Sequence, residues 1–231
     1  MITFATKELI MLSFPRVIYV YDAHCGWCFG FKEAFMEFYS EYQESFEFEV
    51  LSGNMIPLER KQHIGQMADY ILNAYHRVEE LSGCKFGEGY LEHLRNPTNS
   101  SLEICSEKPG IALSVYKMKN PHDAPYFAAA LQNLIMVDGK DLELDKTYLD
   151  LANSFDLNGP EFVSEMKTEQ ARDMAHQEFA MVKQLGITGF PCVLVQTDER
   201  KLYMIARGYT SFEDLKERFD KVIEEFRIAN N

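Results

Sequence analysis

Cys25-Gly26-Trp27-Cys28 sets two sulfurs with two residues between them, Asp22 and His24 just before and the chain's only tryptophan in the gap. Such a pair can form half of a zinc site, staple a loop, or cycle between dithiol and disulfide. A structural zinc site needs four ligands, ordinarily from a second close pair. Cys84 and Cys105 are far from one another in sequence, and His63, His76, His93, His122 and His176 form no pair at finger spacing. No metal is therefore assigned. A redox couple needs one thiolate that attacks and a second thiol that resolves the mixed disulfide. A one-turn helical offset brings two such sulfurs within disulfide reach.

The bulk composition narrows the setting. The 231 residues are 46% apolar, with 17 Phe and 12 Tyr, enough for a packed core. A formal net charge of −13 argues against a nucleic-acid partner, because nothing here would neutralise a phosphate backbone. Five cysteines are an odd set and too few for a disulfide scaffold. Within the first fourteen residues, Lys7 and Glu8 interrupt the apolar run of a signal peptide, and Met11 is a candidate start. No apolar stretch reaches the length of a membrane span. The expectation is a soluble cytoplasmic protein, monomer or homodimer, in a compartment where paired cysteines tend to be catalytic or metal-binding.

The surrounding periodicity shows what holds the pair. Arg16 to Tyr21 is β-branched and aromatic and reads as a buried strand. From Trp27 to Tyr42, Phe31, Ala34, Phe35, Phe38 and Tyr42 recur at helical steps. Phe46 to Leu51 alternates as a second strand, ended by Ser52-Gly53-Asn54. Helical patterns follow over Gln62 to Glu80, Ile111 to Met118, Tyr126 to Met136, Lys146 to Phe155 and Phe162 to Leu185. Strand chemistry returns at Pro191 to Val195 and Leu202 to Ala206, and Ser211 with Asp214 caps a last helix. This order predicts an α/β chain: one sheet with helices on both faces and a helical block inserted into it. Cys25 then falls where the first strand meets the first helix. Unpaired N–H groups and the positive dipole end there favour a thiolate, so Cys25 is expected to have a lowered pKa and to attack, with Cys28 resolving.

Other residues carry weaker expectations. Trp27 can shield the sulfurs or simply join the core. His24 can stabilise the Cys25 thiolate when protonated, though the favoured reading turns its ring to solvent. Cys192, just after Pro191, should point away from wherever Pro191 faces. Cys84 and Cys105 read as spare thiols. The methionines of the helical block, Met67 and Met136 among them, read as core at helical spacing.

DAHCGWCFGF at the first helix, the SEKP segment at 106 to 109, the run ending FAAALQNLIMVDGKDLELDKTYLDLA and LGITGFP before a strand together resemble the DsbA family of thioredoxin-fold disulfide oxidoreductases. The resemblance spans residues 16 to 226 and looks closest to its protein-disulfide isomerase branch, related to FrnE-type proteins. It implies a thioredoxin-like fold over 15–58 and 186–231 with a large all-helical insertion domain over 59–185. It further implies a cis Pro191 facing the two cysteines, with the Phe190 backbone offered to an extended substrate. Asp22, three residues before Cys25, matches the FrnE-like pattern, with a plain strand-ending residue as the equal alternative. Implied partners are protein or peptide thiols and disulfides, with no cofactor beyond the redox-active disulfide and glutathione as a candidate thiol. Two alternatives stand beside it: a glutathione-dependent isomerase or transferase of the kappa type, whose members have Ser at the position of Cys25, and a chaperone-like binding module. Many thioredoxin-like enzymes carry a buried acid six residues before the first cysteine; here that residue is Tyr19. The intervening dipeptide is Gly-Trp rather than the Pro-His of strongly oxidising members, so the direction of exchange stays open.

Overall fold

The computed structural model describes residues 14–230. The readings of a leader segment and of a start at Met11 rest on residues 1–13, which lie outside the described residues. In chain order, β1 (Arg16–Tyr21) leads into α1 (Gly26–Tyr42) and β2 (Glu47–Ser52). There follow β3 (Gln62–His63), α2 (Ala68–Ser82), α3 (Glu88–Arg95) and β4 (Glu103–Ile104). Five helices come next: α4 (Glu107–Lys119), α5 (Ala124–Met136), α6 (Asp145–Ser154), α7 (Gly159–Met166) and α8 (Glu169–Gln184). The chain then returns through β5 (Cys192–Gln196) and β6 (Leu202–Arg207) and ends in α9 (Phe212–Ala229).

Four strands form one sheet in the order β2-β1-β5-β6. β1 is parallel to β2 and antiparallel to β5, so Tyr19 lies between Val50 and Val193. The alternation of side chains along buried strands divides the core in two. Val17, Tyr19 and Tyr21 face the large cluster that holds Phe31, Phe35 and Phe38 of α1. Ile18, Val20, Cys192 and Leu194 face the opposite side, with Val182 of α8 and Ile187. The result is the expected α/β architecture, a thioredoxin-like sheet interrupted by a long excursion between β2 and β5. That excursion is helical except for the short β3–β4 ladder, a departure from the all-helical insertion expected.

Helix boundaries depart from the sequence periodicity at three places. The expected helix over Gln62 to Glu80 begins only at Ala68, because Gln62 and His63 pair with Ile104 and Glu103 as an antiparallel ladder. His63 then accepts the Gly65 N–H at 3.1 Å and holds a short 3-10 turn. The expected helix over Phe162 to Leu185 is two helices, since Thr168 turns extended and its hydroxyl accepts the Ala171 N–H at 3.2 Å. That local bond starts α8 afresh, as serine and threonine do at helix N-termini. A helix that periodicity had not marked, α3, buries Tyr90, Leu91 and Leu94. At the chain end the Ser211 cap is present and accepts the Asp214 N–H at 3.1 Å.

Candidate active site

The sharp change from strand to helix after Tyr21 sets the site. Cys25 is the N-cap of α1, in extended conformation (φ −86°, ψ 109°), with its carbonyl accepting the Phe29 N–H at 3.0 Å. Its sulfur occupies the place where Ser, Thr or Asp usually puts an oxygen, and it accepts the Cys28 N–H at 3.3 Å. No acidic residue lies in the first turn to compete for that end of the helix dipole. Across the site, the Cys25 thiol donates to the Phe190 carbonyl at 3.7 Å. Both cysteines are free thiols.

Cys28 sits one turn further in and is fully enclosed. Burial pushes its thiol well above the ordinary cysteine range, and its hydrogen bond with the Cys25 side chain adds to the effect. Tyr19 lies beneath the pair, stacked on Phe35 at 3.9 Å between ring centres, and its buried hydroxyl has no hydrogen-bond partner. Burial raises that phenol well above its usual value, with smaller contributions from Cys28 and Cys25. A phenol held neutral cannot take a proton from Cys28 as a carboxylate would.

Asp22 is a junction rather than a simple strand end. Its carboxylate is fully buried and accepts three bonds: the His24 N–H at 3.0 Å, the Met55 N–H at 2.8 Å and the Ser106 hydroxyl at 2.9 Å. Ser106, though it precedes α4, makes no capping bond; its oxygen serves Asp22 and accepts the Ile56 N–H at 3.0 Å. Three distant segments are thereby fixed around Cys25. The reading of His24 as turned to solvent is corrected here. Its Nε2 lies 3.1 Å from the Cys105 carbonyl, and burial lowers its pKa. A carbonyl accepts only, so Nε2 carries a proton, and burial works against the second proton that would make the ring a cation beside Cys25.

The Phe190–Pro191 bond is cis, and Pro191 is buried. The ring of Phe190 occupies the space that a Cβ on Gly53 would need, so a side chain there would push the Phe190 ring aside. Trp27 is half-buried against the core and borders a cavity of about 150 Å³ beside Cys25. Part of the cavity's wall comes from Met67, just before α2, and from Ile71 and Ala74 within it. On the other side of the Met55 loop a broader groove is lined by Phe190, Arg60 and Lys183. The sequence-selected residues Asp22, His24, Cys25, Trp27, Cys28 and Phe190 thus gather round one point. Ser106, Met55 and Gln132, whose amide reaches the Asp22 carbonyl at 3.4 Å, complete it and went unrecognised in the sequence. The SEKP segment contained Ser106, but nothing local showed where its hydroxyl goes.

The remaining thiols stand apart from the pair. Cys192 points into the opposite core layer, and burial pushes its pKa up to about 11. Cys105 is buried and Cys84 half-buried, both raised by burial. Thiols react as thiolates, so iodoacetamide at about pH 8 should leave Cys28 and Cys192 unmodified in the folded reduced protein. All five cysteines should be modified after unfolding, as read by peptide mass mapping. Rapid modification of Cys192 in the folded state would contradict its placement. Among the described residues, no group of three or more His, Cys, Asp or Glu is arranged to hold a metal ion, and no helix is long and apolar enough to cross a membrane.

No protein-family model matches the chain, and no curated protein sequence matches it. Solved structures do. A protein from Nitrosomonas europaea, provisionally named a protein disulfide isomerase, matches with a TM-score of 0.77 at 22% identity, over 91% of this chain and 98% of that one. The cytosolic disulfide reductase DsbM from Pseudomonas aeruginosa matches with a TM-score of 0.71 at 20% identity, over 94% of this chain and 100% of that one. A 2-hydroxychromene-2-carboxylate isomerase follows with a TM-score of 0.62 at 10% identity, over 93% of this chain and 97% of that one. Likeness at these identities is likeness of fold. By that measure the chain has the fold of the DsbA-type disulfide oxidoreductases, a thioredoxin-like sheet carrying inserted helices.

Proposed function

We propose that this chain is a thiol-disulfide oxidoreductase acting on protein or peptide disulfides, with Cys25 as the attacking sulfur and Cys28 as the resolving one. The observation that carries this reading is the inequality of the two sulfurs. Cys25 caps α1 and borders a cavity, whereas Cys28 is wholly enclosed one turn behind it. An incoming disulfide R–S–S–R′ can therefore meet only Cys25. The Cys25 thiolate attacks one sulfur, a Cys25–S–S–R bond forms, and R′S⁻ leaves to take a proton from water. Once Cys28 has given up its proton, its thiolate attacks the Cys25 sulfur, closes the 25–28 disulfide and expels RS⁻. Two electrons pass to the substrate, and a second thiol compound returns them to the protein. The same contacts serve the reverse reaction, whose direction follows the potential of the pair.

Glutathione is the proposed thiol partner. DsbM, of like fold, has a structure with GSH, and the groove beside Phe190 offers Arg60 and Lys183 to carboxylates. The cytosolic DsbM also supports a cytoplasmic setting for this chain. Membership of the DsbA family and its FrnE-like branch belongs to the same proposal and rests on DAHCGWC and LGITGFP. The test is turnover: with dithiothreitol as reductant, the chain should accelerate reduction of insulin disulfides. While it does so, mass spectrometry after alkylation should find it alternating between a free 25–28 dithiol and a 25–28 disulfide. Absence of both rejects the proposal.

A further inference from the structure

Resting on the reading of Cys25 as the attacking sulfur, we propose that the cavity beside it is a subsite for one neutral, ring-sized apolar group carried by the disulfide substrate. Its size comes first. A dry apolar cavity of about 150 Å³ holds a single benzene ring, and this one has a volume of about 150 Å³. Its chemistry comes second. No Lys, Arg, Asp or Glu lines it, and its polar side chains are His24, the Cys25 thiol, the Trp27 indole and three tyrosines. His24 is already engaged with the Cys105 carbonyl. A carboxylate or ammonium placed there would lose its hydration with no opposite charge in return. Its position comes third, because Cys25 is part of its wall. A substituent on the attacked sulfur can enter it directly beside Cys25.

The charged groove lies elsewhere. Arg60 and Lys183 stand on the Phe190 side of the Met55 loop, and Met55 belongs to both walls. The two sides of Cys25 therefore select opposite chemistry. The apolar half of a mixed disulfide goes toward Met67, Ile71 and Ala74, and an anionic leaving thiol goes toward Phe190. Attack then forms Cys25–S–S–R with the apolar half and releases the anionic half as its thiolate, which balances electrons and charge.

The probes are two mixed disulfides of glutathione, one with benzyl mercaptan and one with thioglycolate. The wild-type chain should favour the benzyl compound by about 10- to 100-fold in kcat/KM, the range expected for burying one such group. In Cys28→Ser protein, mass spectrometry should find the benzylthio group, not glutathione, retained on Cys25. Ala74→Phe should fill the cavity and bring the two compounds to equal rates. Ile71→Lys should reverse the preference, with circular dichroism monitoring the fold of both variants. Equal turnover of both compounds by wild-type protein would overturn the subsite while leaving the Cys25 reading intact, and this comparison needs no variant. Turnover of neither compound would overturn both.

Discussion

Cys25→Ser is expected to reduce disulfide exchange to the uncatalysed rate while leaving the fold as it was. Two consequences of one position separate here. Serine is among the best N-cap residues, and its hydroxyl can accept the Cys28 N–H in place of the sulfur. The start of α1 should survive, and stability should stay within about 1 kcal/mol of wild type. The chemistry does not survive, because an alcohol is not ionised near neutral pH and forms no mixed disulfide. Far-UV circular dichroism and thermal melting test the first half, and insulin reduction the second. Retained turnover in a folded variant would mean that another group attacks.

Asp22→Ala should cause the largest loss of stability among single changes at the site. The variant leaves the His24 N–H, the Met55 N–H and the Ser106 hydroxyl without their acceptor. A buried donor stripped of its partner costs about 1–3 kcal/mol, so about 3 kcal/mol or more is expected in total. Asp22→Asn keeps the shape but turns an amide NH₂ toward one of these donors, and an intermediate loss is expected. Exchange should slow in both variants, because the Met55 loop and the Ser106 segment border the approach to Cys25. Urea unfolding at constant m reads the stability, and insulin reduction reads the rate. A change within about 0.5 kcal/mol for the alanine variant, the range of an ordinary surface substitution, would show that the junction holds nothing together.

Much of the frame could be read from residue order. The switch from the alternation of Arg16–Tyr21 to the helical stripe of Phe31, Phe35 and Phe38 located the junction at Cys25, because strand and helix periods differ. The strand parity of Cys192 followed in the same way. The Asp22 junction was not legible. Two of its donors are backbone N–H groups, which have no residue signature, and the third belongs to Ser106, far along the chain. The inward turn of His24 depends on the Cys105 carbonyl, again a backbone group. The break at Thr168 was hidden because the apolar stripe continues across it, with Met166 buried before and Ala171 after. The cavity was hidden for a related reason. Met67 and Ile71 belong to the same stripe as Tyr75, and only the placement of α2 shows which of them meet the core and which face the space beside Cys25.

The central claim is that one sulfur attacks while its neighbour waits in the interior. It is tested most directly by incubating Cys28→Ser protein with an excess of oxidised glutathione and mapping the adduct by mass spectrometry of proteolytic fragments. The account predicts a single glutathione held on Cys25 and stable until added reductant removes it, with none on Cys84, Cys105 or Cys192. An adduct on one of those three instead, or none at Cys25, would contradict it.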